Sequence, residues 1–325
     1  MDPLAPLTGI LQRHGVRCSP AEFHAAVNVT FHHHESEIYD EAHRDMWDSL
    51  PKQFVLLAED CLGAGFRPAE RLSMLDIGCG TGLASDSMLK SPLGGSLREI
   101  TLLDTSSAML KRAVSRSAAW GVPVTVHEGT LDTLPIRPFD VIVTCSVLHH
   151  VPDIGSFLAN VAALQAPGGV FLHLQDPNGD ALGSPLLKER QRSVSKGRVP
   201  KWLSRFSPSR FFGRLHRELT GEQGQDYVSK TNRDLLRMGI LTSPLSVAEL
   251  FAITDIHVQD GEGISTARMK QWMPSYELVS ERWYGYFGQL ESTLPPRLQA
   301  EEQVLCARRD PNGMHCAGAW KRVQS

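Results

Sequence analysis

Two short stretches of this 325-residue chain combine residue types that could perform chemistry. The first is residues 74–82, where an apolar run ends at Asp76 and glycines follow at positions 78, 80 and 82. Glycines let a backbone turn approach a ligand, because they carry no side chain and accept positive φ. The second is the pair His149 and His150, whose imidazoles titrate near neutral pH. These residues indicate a ligand-binding loop beside a candidate general base.

The glycine spacing distinguishes this loop from a dinucleotide-binding loop. The dinucleotide fingerprint places its third glycine three positions after the second, and that position is Leu83 here. A nicotinamide or flavin cofactor is therefore not expected. Asp104 closes the next apolar run, where a carboxylate can accept hydrogen bonds from both hydroxyls of a ribose. The alternative for Asp104 is an acid at a helix N-terminus, which the helix dipole favours.

The elements that must position these residues alternate between strand and helix. Apolar runs predict strands that end at Asp76 and Asp104, and further strands over 122–127, 139–145 and 169–174. Helical stripes lie between them, with one predicted over 154–165 and another over 50–62, before the first strand. This order predicts an α/β fold whose parallel sheet has helices on both faces, with the ligand at the carboxyl ends of the strands.

Several motifs in this order resemble the class I S-adenosylmethionine (SAM) dependent methyltransferases, specifically their small-molecule group of types 11 and 12. They are residues 75–82, Asp104, residues 139–142 with 148–153, and the turn at 164–169, so the resemblance covers about residues 70–175. It implies a doubly wound, seven-stranded Rossmann-like sheet. It also implies an N-terminal helical cap (1–66), a SAM-binding core (67–177), a helical insert or lid after strand five (178–245) and a C-terminal part of the core (246–325).

The resemblance implies SAM as the cofactor and S-adenosylhomocysteine as its product. In the family the acid at Asp76 helps to hold the ammonium end of SAM. The aspartate that usually contacts adenine is replaced by Thr130, so Asp132 or Glu128 could take its place. The implied cofactor-binding residues are Tyr39, Asp76, Gly78, Cys79, Gly80, Asp104, Thr105, Met109, Gly129, Thr130, Leu131, Cys145 and Ser146.

Methyl transfer from a sulfonium depends largely on positioning, and a base is needed only when the acceptor must lose a proton. The candidate catalytic residues are His150, His149 and Asp176. The alternative is a structural or orienting role for one or both histidines, and a turn position for Asp176. Asp255, His257 and Asp260 could line the pocket or bind a metal, or form a satisfied loop network.

Residues 188–217 carry ten cations and one acid, with aromatic residues between them. Because this segment follows strand five, its arginines could recognise a carboxylate or phosphate at the rim of the sheet. We therefore expect a small-molecule acceptor that combines an apolar body with an anionic group. The alternatives are a solvated face, peripheral contact with a membrane surface and an RNA-binding surface. The predicted substrate-binding residues are Tyr39, Arg205, Arg210, Arg214 and His257.

Bulk composition limits the remaining classes of function. The net charge is −3, so no nucleic-acid partner is expected, and no apolar run reaches membrane-spanning length. The start of the sequence lacks a signal-peptide layout, and the six cysteines show no CxxC pair, which favours a cytoplasmic protein with reduced thiols. No metal is expected: the run His32–His34 could bind one together with Glu35 and Glu37, but it is more typical of a solvated helix face. A SAM-binding protein without methyl transfer and an RNA methyltransferase stay open as alternatives.

Overall fold

The computed structural model describes residues 4–68, 70–195, 226–258 and 262–323. Within these residues a single sheet has the strand order β3-β2-β1-β4-β5-β7-β6. Strands β1 to β5 are parallel, and β7 is antiparallel to both of its neighbours. The strands are β1 Leu72–Ile77, β2 Leu97–Asp104, β3 Val124–Glu128, β4 Phe139–Cys145, β5 Gln165–Pro177, β6 Tyr276–Tyr284 and β7 His315–Arg322.

The central strands are apolar on both faces because helices cover both faces. Successive side chains of a strand point to opposite sides, so Met74 packs in one hydrophobic cluster and Leu75 in the other. Val141 and Ile142 of β4 divide in the same way. This double burial holds β1 and β4 side by side, so the residues that follow them meet at one edge of the sheet.

The helices form layers on the two faces of the sheet and a separate cap. Helices α4, α5 and α6 contribute to one hydrophobic cluster, and α7 and α11 to the other. The helices are α1 Thr8–Arg13, α2 Pro20–Glu35, α3 Tyr39–Ala42, α4 Arg44–Gly63, α5 Leu83–Leu89, α6 Ser107–Ser117, α7 Ile154–Leu164, α8 Pro185–Ser195, α9 Asp226–Arg237, α10 Val247–Thr254, α11 Thr266–Trp272 and α12 Pro296–Arg308.

The cap joins the N-terminal helices to α9 and α10 through a third hydrophobic cluster, which includes Phe23, Val27, Leu235 and Ile253. Helix α2 begins after Ser19, where the Ser19 side chain and Glu22 form a reciprocal capping box. Polar contacts reinforce the cap at Glu249 of α10. Its carboxylate lies 3.0 Å from a guanidinium nitrogen of Arg13 and 3.2 Å from Nε2 of His14.

The predicted fold class is confirmed: the chain has a seven-stranded, doubly wound sheet with an N-terminal helical cap. Strand β4 has its predicted bounds and β2 ends at Asp104 as predicted, whereas β3 begins two residues after its predicted start. Residues 196–225, the centre of the predicted insert, lie outside the described residues, and the four domain boundaries stay predictions. No helix in the described part of the chain has the length and apolarity needed to cross a bilayer. The six cysteines are free thiols.

Candidate active site

The turn after β1 leaves open space above its backbone. Gly78, Gly80 and Gly82 have φ values of 62°, 51° and 95°. A Cβ atom built at Gly78 would lie 2.6 Å from a methyl carbon of Val147, so no side chain fits there. A Cβ atom at Gly80 would meet no atom of the described residues within 4 Å. The side chain of Val147 therefore fills the space beside Gly78, whereas the space above Gly80 is open to a ligand.

A narrow cleft, open to solvent, lies over this turn. It brings together five of the residues that the sequence assigned to the cofactor: Tyr39, Gly78, Cys79, Gly80 and Cys145. Tyr39 comes from the cap and Cys145 from the end of β4, so the cleft lies between the cap and the sheet. The other lining residues are Met46, Thr81, Leu83 and Ala84.

Asp76 lies beneath the cleft, and one of its carboxyl oxygens has no partner. The side chain is fully buried, and Oδ2 accepts hydrogen bonds from Oγ and the backbone N–H of Ser85, at 2.6 and 3.1 Å. Oδ1 has no hydrogen-bond partner among the described residues. Burial raises the pKa of Asp76 to about 7. Such an acceptor is suited to a cationic donor from a ligand, because a buried unpaired carboxylate is costly.

Asp104 connects the end of β2 to the glycine turn. Its Oδ2 accepts the backbone N–H of Gly80 at 2.8 Å, and its Oδ1 accepts that of Ser106 at 2.8 Å. Burial raises the pKa of Asp104, and these hydrogen bonds oppose that shift. Each carboxylate oxygen has two lone pairs, so each retains one acceptor position for a ligand hydroxyl.

The remaining predicted cofactor residues lie near this edge but outside the described cleft lining. The backbone N–H of Gly129 donates to the backbone oxygen of Asp104 at 3.0 Å, which holds the ends of β2 and β3 together. Met109 and Leu131 are buried, and Thr105 and Thr130 are exposed. Ser146 has φ 60° and donates its backbone N–H to Leu174 at 2.9 Å. A strained non-glycine residue at this rim is typical of a functional site.

The cap is fastened to the glycine turn by contacts that the sequence did not reveal. Asp40 accepts hydrogen bonds from Thr81 Oγ1 at 2.5 Å, from Arg116 at 2.6 Å and from the indole N–H of Trp47 at 3.2 Å. Arg116 also donates to the backbone oxygen of Thr81, and its guanidinium lies 3.9 Å from the Trp47 ring. This cluster, Asp40, Trp47, Thr81 and Arg116, is the cap lock.

The three predicted catalytic side chains meet at the carboxyl ends of β4 and β5. His149 Nδ1 lies 2.9 Å from Asp176 Oδ1, and its backbone N–H donates to the same oxygen at 3.3 Å. Burial lowers the pKa of His149 to about 3 and raises that of Asp176 to about 7. Because His149 is held at two atoms and is almost fully buried, an orienting role suits it better than proton transfer to a ligand.

His150 is the more accessible histidine, and its tautomer is defined. Its Nδ1 lies 2.7 Å from the backbone oxygen of Thr254. A carbonyl oxygen only accepts, so Nδ1 carries the proton and the neutral ring has its lone pair on Nε2. Burial, followed by the neighbouring His149 and His32, lowers the pKa of His150 well below its usual range. The ring is therefore neutral near pH 7 and able to accept a proton.

Asp255 faces both histidines from the end of α10. Its Oδ1 lies 3.3 Å from His150 Nδ1 and 3.7 Å from His149 Nε2. Oδ2 has no hydrogen-bond partner among the described residues, and burial raises the pKa of Asp255 to about 8. The loop network predicted for Asp255, His257 and Asp260 therefore leaves one oxygen of Asp255 without a hydrogen bond among the described residues. The three side chains each place one donor atom within 4.8 Å of the others, a spacing that a metal ion could bridge.

The remaining sequence candidates are divided between this site and other regions. His257 lies beside it, with Nε2 2.6 Å from the backbone oxygen of Val151. The run His32–His34 does not converge: His32 lies 3.1 Å from Glu35, and His34 lies 2.8 Å from Asp234. Arg205, Arg210, Arg214 and Asp260 lie outside the described residues.

Sequence comparisons identify related proteins. A family model described as a methyltransferase domain matches residues 75–171. A ubiquinone biosynthesis O-methyltransferase from Caulobacter sp. (strain K31) is 39% identical over 113 residues, which are 34% of this chain and 43% of that protein. The protein of the same name from Mesorhizobium japonicum is 32% identical over 183 residues, which are 55% of this chain and 67% of that protein. The chain thus spans less than half the length of the Caulobacter relatives that it matches.

A solved structure also matches. It is the crystal structure of a putative sarcosine dimethylglycine methyltransferase from Galdieria sulphuraria, which is 12% identical with a TM-score of 0.46 and covers 84% of this chain and 86% of that one. The family assignment depends instead on the sequence relatives and the methyltransferase-domain match. By these matches, the chain belongs to the class I SAM-dependent methyltransferases.

Proposed function

We propose that this protein transfers the methyl group of SAM to an oxygen atom of a small-molecule acceptor. Relatives named O-methyltransferases support the reaction class. The cleft over the glycine turn and the histidine cluster beside it support a division into a cofactor site and an acceptor site. Oxygen is the acceptor atom that we favour, because a hydroxyl must lose a proton and the site contains a base that can take it.

The residues around the cleft are suited to hold SAM. Asp76 offers an unpaired, buried carboxyl oxygen to the ammonium group, and Asp104 retains acceptor positions for the ribose hydroxyls. Gly80 leaves free the space that any other residue would fill. When bound, SAM supplies an electrophilic methyl group on a sulfonium. Tyr39 and Cys145 line the same cleft from different elements and would limit the access of water.

The observation that carries the proposal is the hydrogen bond from His150 Nδ1 to the backbone oxygen of Thr254. It fixes the proton on Nδ1 and leaves Nε2 as the acceptor. His150 Nε2 would take the proton of the acceptor hydroxyl, and bound SAM would supply the methyl group and leave as S-adenosylhomocysteine. His149 and Asp176 hold the peptide segment that carries His150, so they position the base.

A product assay tests the proposal. The full chain is incubated with methyl-labelled SAM and a panel of small phenols and hydroxy acids, and the products are identified by mass spectrometry. We expect a product with one added methyl group and an equal amount of S-adenosylhomocysteine. His150→Gln should lower kcat by roughly 10²–10⁴-fold without changing SAM affinity. His33→Gln, on an exposed histidine, is the matched control.

Three outcomes would overturn the proposal. SAM binding without S-adenosylhomocysteine formation would favour the non-methylating alternative, and label incorporated into RNA would favour an RNA methyltransferase. A wild-type rate of methyl transfer in His150→Gln would show that His150 is not the general base. An acceptor with an anionic group, peripheral membrane contact and a cytoplasmic location stay predictions, as does the expectation that no metal is needed.

A further inference from the structure

One polar atom of cap helix α2 is buried without a partner. It is Oδ1 of Asn28, which makes no hydrogen bond among the described residues. The Nδ2 atom of the same amide lies 3.0 Å from the backbone oxygen of His24 and 3.2 Å from His24 Nε2. A carbonyl oxygen only accepts hydrogen bonds, so the amide nitrogen must face it and Oδ1 is directed away. The orientation of the amide is therefore fixed, and its oxygen is the unpaired atom.

The turn of α2 that carries Asn28 lies where the cap meets the histidine cluster. Residues three and four positions apart in a helix share a face, so Phe31 and His32 continue the stripe that begins at Asn28. The ring centroid of Phe31 lies 5.7 Å from that of Phe251 in α10. The ring centroid of His32 lies 5.2 Å from that of His150. Asn28 thus belongs to the face of α2 that packs on α10 and on the proposed base.

A second unpaired polar atom comes to this region from the end of α10. Asp255 is only 4% exposed, and its Oδ1 lies 3.3 Å from His150 Nδ1. Its Oδ2 has no hydrogen-bond partner within the described part of the chain. A buried polar atom without a partner is costly, and a polar ligand removes this cost when it supplies the hydrogen bond. Two such atoms on different elements beside one histidine indicate a polar ligand between them.

The chemistry of these atoms limits what the ligand can be. The amide oxygen of Asn28 only accepts, so its partner must be an O–H or N–H group. A hydroxyl suits Oδ2 of Asp255 in either protonation state, because a hydroxyl both donates and accepts. Asn28 Nδ2 only donates, so His24 Nε2 keeps its lone pair and the His24 ring is uncharged. A carboxylate or phosphate group would find no donor at Asn28 Oδ1 and no cation at His24.

We propose that Asn28 determines the acceptor specificity of this active site: its Oδ1 accepts a hydrogen bond from a second O–H or N–H group of the acceptor, in addition to the hydroxyl that is methylated. This role rests on the proposed function, because it assigns the acceptor to the space between α2, α10 and His150. The expected anionic group, which depends on arginines outside the described residues, would have to occupy another part of the acceptor.

Three probes with the same phenol skeleton test the proposal without turnover. They are meta-aminophenol, which carries a donor, meta-methylphenol, which carries an apolar group of the same size, and meta-hydroxybenzoate, which carries an anion. Their Kd values are measured by ligand-observed NMR with the full chain saturated with S-adenosylhomocysteine. We expect meta-aminophenol to bind roughly tenfold more tightly than the other two probes, because only its amine pairs with Oδ1 of Asn28.

Variants of α2 assign this preference to one side chain. Asn28→Leu replaces the amide by an apolar side chain of similar size and should abolish the preference for meta-aminophenol over meta-methylphenol. Asn28→Asp keeps an oxygen acceptor at the same place and should restore the preference. His33→Leu makes a polar-to-apolar change at an exposed position of the helix and should keep the wild-type ratio of Kd values. Each variant should bind SAM as the wild type does, which shows that the cap is folded.

Equal ratios of Kd values in the wild type and in Asn28→Leu would overturn the proposal, and so would failure of meta-aminophenol to bind the wild type. With an acceptor from the product assay, Asn28→Leu should raise KM roughly tenfold and leave kcat near its wild-type value, whereas loss of a general base lowers kcat. Probe binding as expected, without methyl transfer to any acceptor, would reject the proposed function and keep Asn28 as a ligand-binding residue.

Discussion

At the residue scale, a substitution at Gly80 can distinguish the loss of space for a ligand from the cost of backbone strain. Gly80 and Gly65 both have positive φ, and a Cβ atom at either would lie more than 4 Å from every atom in the described part of the chain. Gly80→Ala and Gly65→Ala should therefore lower the free energy of unfolding by similar amounts, about 1–2 kcal/mol. Only Gly80→Ala should also abolish or strongly weaken SAM binding, because its methyl group enters the cleft. Calorimetry of both variants checks this, and equal SAM affinities would show that the cleft is not the cofactor site.

Asp104 makes a second prediction at this scale. Asp104→Ala should weaken SAM binding by roughly 1–3 kcal/mol, since two ribose hydroxyls lose a charged acceptor and Gly80 loses the partner of its N–H. The exposed Asp48→Ala removes the same charge from helix α4 and should bind SAM as the wild type does. Titration calorimetry at one ionic strength measures both. Unchanged SAM affinity in Asp104→Ala would show that Asp104 holds the glycine turn but does not contact SAM.

At the scale of elements, we expect the cap lock to control whether the cap covers the cleft. Arg116 of α6 joins Asp40 of the cap to Thr81 of the glycine turn. Arg116→Gln should raise the Kd for SAM roughly tenfold, because a charge-assisted contact that closes the cleft is lost. It should also increase proteolytic cleavage between α2 and α4 in the SAM-bound protein. Lys111→Gln removes a charge from an exposed position of the same helix. Identical proteolytic cleavage in Arg116→Gln and Lys111→Gln would show that the cap lock does not hold the cap over bound SAM.

The elements and the cap lock differ in how far the sequence reveals them. Strand β4 was predicted with its bounds because a buried strand of a parallel sheet is a continuous apolar run. The glycine turn and His150 follow such strands, so their meeting at one edge was also predictable. Asp40, Thr81 and Arg116 carry no periodic signal, and their contacts join segments 35 to 76 positions apart. For the same reason Thr254 could not be found from the sequence, although its backbone oxygen defines the tautomer of His150.

At the scale of the whole molecule, buried histidines should make the fold sensitive to acid. His173 is fully buried, neither of its ring nitrogens has a hydrogen-bond partner among the described residues, and burial lowers its pKa to about 4. Its contribution to stability is complete above pH 6.5, the usual pKa, and is lost as pH falls toward 4, because the unfolded chain then binds the proton more readily. The loss amounts to about 3 kcal/mol at pH 4.

His173→Leu removes this dependence while keeping the site apolar. Between pH 7 and pH 4 the free energy of unfolding should fall less in the variant than in the wild type, by up to about 3 kcal/mol. Denaturant unfolding at several pH values measures the difference. Asp176 shows the opposite trend, because burial raises its pKa to about 7. His173 Nδ1 lies 3.9 Å from Asp176 Oδ2 and opposes that rise, so the comparison measures His173 together with its effect on Asp176. Parallel curves for the two proteins would show that His173 is not the acid-sensitive group.

The position of β7 has a consequence for how the protein is made. Strand β7 occupies the gap between β5 and β6, and its residues 315–321 pair with residues 170–177 of β5. A ribosome that adds 5–20 residues per second needs roughly 7–28 s to pass from one strand to the other. During that time the glycine turn and the parallel strands have already been synthesised, but β5 presents an unpaired edge to other chains. A premature stop between residues 178 and 314 would therefore yield a product with every residue proposed to contact the cofactor in place and a sheet edge that invites aggregation. Such a truncation would then remove the protein by aggregation, although the segment proposed to bind the cofactor is complete.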